Sequence, residues 1–154
     1  MITESQPNSG RILGLDWGEK RIGVAISDEL RISVRPLVAI QVTNWKAVLG
    51  SLRETIAHFD AKLVVIGWPL KMDGSEGSRV ELVRNTATKL AKSLTVPLQF
   101  QDERLTSAAA EERLRNASIP KEEWKHQVDS IAASIILSDY IDRRLGHKVK
   151  SPLE

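Results

Sequence analysis

Apolar residues follow two different periods along this chain. RILGLDW (11–17) and RIGVAIS (21–27) are short, dense apolar runs joined by Gly-Glu-Lys, a spacing that predicts a β-hairpin. ISVRPLVAI (32–40) reads as a third strand, with Pro36 at an edge or a bulge. Beyond it the period becomes helical. Asn44 is placed to cap a helix over 45–59, whose Val48, Leu49, Leu52, Ile56 and Phe59 form one stripe. KLVVIG (62–67) is continuously apolar, as expected of a strand covered on both faces. WPLKMDGSEGS (68–78) is a loop by its Pro and Gly content. A helix over 79–94 then carries Val80, Val83, Ala87, Leu90 and Leu94, Pro97 stops it, and LQFQ (98–101) is a strand. Thr106 opens a short helix to Leu114, and a last long helix runs from Glu122 to Arg144.

The predicted order is β-β-β-α-β-α-β-α-α. An antiparallel meander followed by strands separated by helices implies an α/β fold: a mixed five-stranded sheet with helices on both faces. Ligands of such sheets bind beyond the carboxyl ends of the strands. The expected organisation is a flexible leader over 1–10, one domain over 11–145 and a basic tail over 146–154.

Composition narrows the function classes. At 154 residues, with 42% hydrophobic and 27% charged positions, the chain suits one globular domain with a substantial core. Twenty-two Lys and Arg against 20 Asp and Glu leave a formal charge of +2, too small a bias to argue for nucleic acid. Any basic surface must come from clustering. The absence of cysteine excludes disulfides, thiolate metal sites and cysteine nucleophiles. No apolar run approaches the roughly 20 residues that span a bilayer, and MITESQPNSG does not resemble a secretory signal. A cytoplasmic protein without membrane association is the expectation.

Three carboxylates fall where a polar residue is out of place. Asp16 interrupts the first apolar strand near its carboxyl end, and Glu103 follows the strand LQFQ. Asp129 precedes SIAASIIL on the last helix, where positions 129, 132, 133, 136 and 140 share one side and small alanines permit close packing on the sheet. With the first strand central, Asp16 and Glu103 emerge at one sheet edge and Asp129 closes the cluster from above. Gly18 would leave room above Asp16. Converged carboxylates repel and are tolerable with bound cations. An all-oxygen set favours Mg²⁺ or Mn²⁺ over zinc. Two such ions roughly 3.5–4 Å apart activate water and stabilise the leaving oxygen of a phosphodiester. Each acid also has a plainer reading: Asp16 as a turn residue, Glu103 in an ion pair with Arg104, Asp129 paired with Lys125.

Four blocks in succession, DWGEKRIGVAISD, VVIGWPLKMDGSEG, DERLTS and VDSIAASIIL, resemble the motifs of the YqgF (RuvX) family of RNase H-like nucleases over residues 11–142. The resemblance implies an RNase H-like fold, a metal-dependent phosphodiesterase with Asp16, Glu103 and Asp129 as catalytic and metal-binding acids, and action on the 5′ end of the small-subunit rRNA precursor. It also implies a rival substrate, the Holliday junction. A fourth carboxylate, present in related resolvases, has only Asp28, Asp73 and Asp102 as candidates.

Substrate contacts are expected from Lys20 and Arg21 in the turn after the first strand, from Lys71 in the loop, and from Arg104 beside Glu103. Arg79 could also track a phosphate backbone, and Trp17 or Trp68 could stack on a base, although packing suits both better. His58, His126 and His147 show no metal-ligand spacing. The expected partner is RNA, pre-rRNA on the small ribosomal subunit precursor, with structured DNA as the rival, acting as a monomer or homodimer. Two other classes compete. Asp16, Gly18 and Gly23 fit the phosphate hairpin of the actin and sugar-kinase superfold, but 154 residues cannot supply its two lobes. A non-catalytic nucleic-acid-binding module would lack one of the acids, and all three are present.

Overall fold

A computed structural model describes residues 7–69, 73–103, 112, 115–118 and 120–145. Strands β1 (Ile12–Trp17), β2 (Arg21–Ser27), β3 (Val34–Gln41), β4 (Leu63–Trp68) and β5 (Leu98–Asp102) form one sheet in the order β3-β2-β1-β4-β5. β2 runs antiparallel to β1 and β3, whereas β4 is parallel to β1 and β5. β1 is therefore central, in the mixed sheet that the element order predicts. The described helices are α1 (Trp45–Phe59), α2 (Ser78–Ser93) and α3 (Trp124–Leu145), the last preceded by a 3₁₀ turn over Lys121–Glu123. The short helix expected from Thr106 to Leu114 falls almost wholly outside the described residues.

Strand alternation divides the core in two. Leu13, Leu15 and Trp17 of β1 pack with Val64 and Ile66 against Val48 and Leu52 of α1 and Val83, Ala87 and Leu90 of α2. On the opposite face, Ile12, Ala25, Leu63 and Val65 meet Ala133, Ile136, Leu137, Tyr140 and Ile141 of α3. Burial on both faces is why β1 and β4 read as continuous apolar runs. Each fully buried Leu, Ile or Val contributes roughly 1.5–3 kcal/mol, so the two helix layers clamp β1 and β4 most firmly. The aspartate of β1 is thus held on the stiffest part of the sheet.

Local chemistry sets the element ends. Asn44 Oδ1 accepts from Ala47 N at 2.9 Å, capping α1 as its position predicts. β3 starts at Val34, not residue 32, because Asp28 Oδ1 accepts from both Ile32 N and Ser33 N and holds a turn there. Pro36 lies on the outermost strand opposite Ala25, one pair beyond an irregularity between Ile22 and Val24. Ser9 and Gly10, within the expected leader, are tied down through their carbonyls by the buried Arg31. Ala132 leaves the helix face assigned to it: with Ile131 it joins Trp124, Val128 and Ile135, while Leu137 and Ile141 take the sheet. The reason is that α3 lies on the sheet along a stripe rotated from the one that its alanines suggest. Among the described residues no helix is long and apolar enough to cross a membrane.

Candidate active site

Asp16, at the fifth of the six positions of β1, points to the α3 face by strand alternation. Glu103 directly follows β5, and its amide continues the ladder by donating to the Trp68 carbonyl at 3.1 Å. The two acids rise from strands separated by β4, roughly 10 Å apart at the backbone. They approach because Gly67 of β4 carries no side chain between them. A Cβ at Gly67 would fall under 3.0 Å from Glu103 Oε2 and 2.7 Å from Ile136 Cδ1. The Glu103 carboxylate lies over that gap, close enough to Asp16 for each acid to shift the titration of the other.

Burial and mutual repulsion dominate the electrostatics. Loss of water, then the charge of Glu103, push the Asp16 carboxyl up to about 7, with Arg79 pulling down and Asp129 adding a smaller upward push. Burial likewise raises Glu103, opposed by Arg79. Glu103 Oε2 is buried without a hydrogen-bond donor among the described residues. Its neighbour is another carboxyl, and two ionised carboxylates have no proton to share. A proton held between the two acids, or a cation, would satisfy that oxygen.

Asp129 is held nearby by a different cation. Arg21, the first residue of β2, donates through Nε to Asp129 Oδ2 at 2.8 Å, with both side chains mostly covered. Gly23, paired with Asp16 across β1 and β2, is the second glycine the site depends on: a Cβ there would overlap the Asp129 backbone oxygen and lie 2.9 Å from Ser130 N. At the pairing irregularity, Val24 N donates to Ser130 Oγ at 3.4 Å, fastening α3 to β2 one residue beyond Asp129. The structure thus brings Asp16 and Glu103 together, with Asp129 close enough to feel Asp16 but paired to Arg21. Among the described residues, no three His, Cys, Asp or Glu side chains gather tightly enough to hold one ion.

The other candidate residues separate clearly. Lys20 is exposed in the β1–β2 turn, its carbonyl accepting from Val42 N. Lys71 and Arg104 lie outside the described residues, and so does the side chain of Lys125. Asp28 sits at the far end of β2, occupied with its own turn, and Asp73 accepts from Ser75, so neither adds a carboxylate to Asp16. Asp102 alternates to the opposite sheet face from Glu103. Trp17 packs against Trp45, and Trp68 against Phe100 beneath Arg84. Gly18 does not make room above Asp16. Its amide donates to the Arg21 carbonyl, and a Cβ would crowd that same oxygen at 2.7 Å, so the turn itself requires the glycine. Sequence patterns signalled neither the clearance at Gly67 nor the hold of Arg79 on the acids. Arg79, in the first turn of α2, donates to Glu103 Oε1 at 3.1 Å and to the Trp17 carbonyl at 2.8 Å, and lies 3.8 Å from Asp16 Oδ1.

Residues 10–143 match the family profile described as "RuvX: Holliday junction resolvase". Curated relatives bearing the name "Putative pre-16S rRNA nuclease" include one from Syntrophus aciditrophicus, 40% identical over 141 residues, spanning 92% of this chain and 94% of its own. Another, from Chloroflexus aggregans, is 44% identical over 138 residues, spanning 89% of this chain and 96% of its own. Among solved structures, Thermus thermophilus RuvC in complex with a Holliday junction substrate aligns with a TM-score of 0.55 at 15% identity, covering 90% of this chain and 98% of that one. The fowlpox virus Holliday junction resolvase aligns with a TM-score of 0.50 at 14% identity, covering 88% and 99%. These structural likenesses establish the RNase H-like fold.

Proposed function

The chain belongs to the RuvX family, and from that membership we propose that it is a nuclease that hydrolyses phosphodiester bonds at the 5′ end of the precursor of 16S ribosomal RNA. The buried, donor-less Glu103 Oε2, on an acid that interacts electrostatically with Asp16, carries the chemical part of this reading. An all-oxygen pair with one unsatisfied member fits a hard divalent cation. Asp16 and Glu103 would hold Mg²⁺ or Mn²⁺, with Asp129 joining once Arg21 releases it. Bound there, such ions supply Lewis-acid activation of water and of the scissile phosphate. The chain's own residues supply position: β1 and β5 fix the two carboxylates, Gly67 lets them meet, and α3 presents Asp129 over Gly23. Lys20, Arg21, Lys71 and Arg104 are the proposed contacts to substrate phosphates, and the proposed setting is the pre-ribosomal small subunit in the cytoplasm.

The test offers labelled precursor rRNA and a four-way DNA junction, each with Mn²⁺ or Mg²⁺, to the wild type and to Asp16→Asn. Metal-dependent cleavage of the rRNA precursor, abolished by Asp16→Asn, is the expected result. Cleavage of the junction alone would transfer the activity to a resolvase, which needs two coordinated sites and hence a dimer. Activity surviving in Asp16→Asn would refute the site.

A further inference from the structure

Arg79 is bound to both acids of the candidate site from its side. Its guanidinium reaches Glu103 Oε1 at 3.1 Å and stands 3.8 Å from Asp16 Oδ1, while the Trp17 carbonyl anchors it at 2.8 Å. It does not satisfy Glu103 Oε2, the buried oxygen that lies over Gly67. One unit of positive charge therefore offsets part of the repulsion between two acids and leaves the space between them to another donor. Its place reinforces the effect: the first turn of α2 adds the positive end of the helix dipole. The Arg79 side chain is 49% exposed, against 16% for Asp16 and 10% for Glu103, so it can withdraw to solvent while the acids cannot.

We propose that Arg79 is the internal counter-ion of this acid pair, a monovalent stand-in that competes with the divalent cation and so sets the affinity for it. The inference rests on the proposed metal-dependent function. A divalent ion seated between Asp16 and Glu103 would neutralise the charges that hold the guanidinium and repel it at close range. Arg79 must then give up Glu103 Oε1 and turn outward. An arginine holding the acids for purely structural reasons would have the opposite consequence, since its loss would disorder the site and weaken the binding of metal. Arg21 holds Asp129 in the same way but reaches neither Asp16 nor Glu103 in any described contact, so the competition for this acid pair falls to Arg79.

Isothermal titration of Mn²⁺ into the full-length protein, without RNA, tests this in wild type, Arg79→Gln, Arg79→Lys and Arg84→Gln. Removing the competing charge should tighten Mn²⁺ binding by about fivefold in Arg79→Gln, the scale of one partly exposed charge pair. Arg79→Lys should fall between that variant and wild type, because an ammonium lacks the planar fork that grips Glu103 and the Trp17 carbonyl together. Arg84→Gln, which removes a cation on the same helix that pairs with Glu76 and Glu81, should bind Mn²⁺ as wild type does. Thermal melts should show Arg79→Gln below wild type in EDTA and level with it at saturating Mn²⁺. Unchanged or weaker Mn²⁺ binding in Arg79→Gln overturns the inference and leaves the metal reading intact. If wild type and variant alike bind no Mn²⁺ or Mg²⁺, both fall. Should Arg79→Gln fail to fold, the lysine variant decides: tighter binding supports the competition, and equal or weaker binding refutes it.

Discussion

Asparagine at position 16 should abolish cleavage and yet make the metal-free protein more stable in alkaline buffer. In the fold the Asp16 carboxyl is raised from an ordinary 3.8 to about 7, first by burial and then by Glu103. A raised acid binds its proton more tightly when folded than when unfolded. Its stability contribution is therefore intact below 3.8 and drains away as pH climbs through 7, where folding must bury a charge. At roughly 1.4 kcal/mol for each pH unit between those two values, the full loss is on the order of 4 kcal/mol. Asparagine has nearly the same volume and nothing to ionise, and its amide can donate to Glu103 Oε2. In EDTA, urea unfolding should place Asp16→Asn above wild type by on the order of 4 kcal/mol at about pH 8.5, and by less than about 2 kcal/mol at about pH 5. The urea m-value should be unchanged, since the surface exposed on unfolding is the same. Saturating Mn²⁺ should close the alkaline gap by stabilising only the wild type. A variant less stable than wild type at the higher pH, or a gap that ignores pH, would show that Asp16 is not a strained, buried acid.

The two glycines beside the acids should respond differently to alanine. At Gly67 the new methyl meets the ends of the Glu103 and Ile136 side chains, which must both shift, so Gly67→Ala should cost about 1–2 kcal/mol in urea unfolding while eliminating cleavage through a displaced carboxylate. Full activity in that variant would disprove the clearance argument. At Gly23 the methyl meets the backbone of Asp129, which cannot move without α3, so Gly23→Ala should lose about 3 kcal/mol or more in the same assay. A Gly23→Ala protein with wild-type stability would mean that α3 does not press on β2 there.

Much of this architecture was legible locally. Asn44 precedes a stripe at helical spacing and caps α1 from the residue where pattern places it. The runs at 12–17 and 63–68 are apolar throughout because helices cover both faces of β1 and β4, and an acid in such a run stands out. Asp16, Glu103 and Asp129 could therefore be picked out as misplaced carboxylates, and a sheet with β1 at its centre puts the first two at one edge.

The composition of the site belongs to the tertiary structure. Gly67 looks like the plain end of a strand until β4 is laid between β1 and β5, when it becomes the gap that lets two acids meet. Gly23 fits a phosphate hairpin until α3 is laid across it. Arg79 reads as a cation that could track a phosphate backbone, and only the placing of α2 in the fold turns it onto Glu103. Arg21 looks like a substrate contact, yet α3 brings it Asp129 from 108 residues away. Hydrophobic period reports how each segment is buried and therefore survives in a one-dimensional reading. Which side chains meet across strands depends on strand order, register and helix placement, and these arise from packing that no single segment encodes. Local pattern accounts for the elements and for three suspicious acids; packing alone puts two of those acids over one gap and sets two arginines against the three charges.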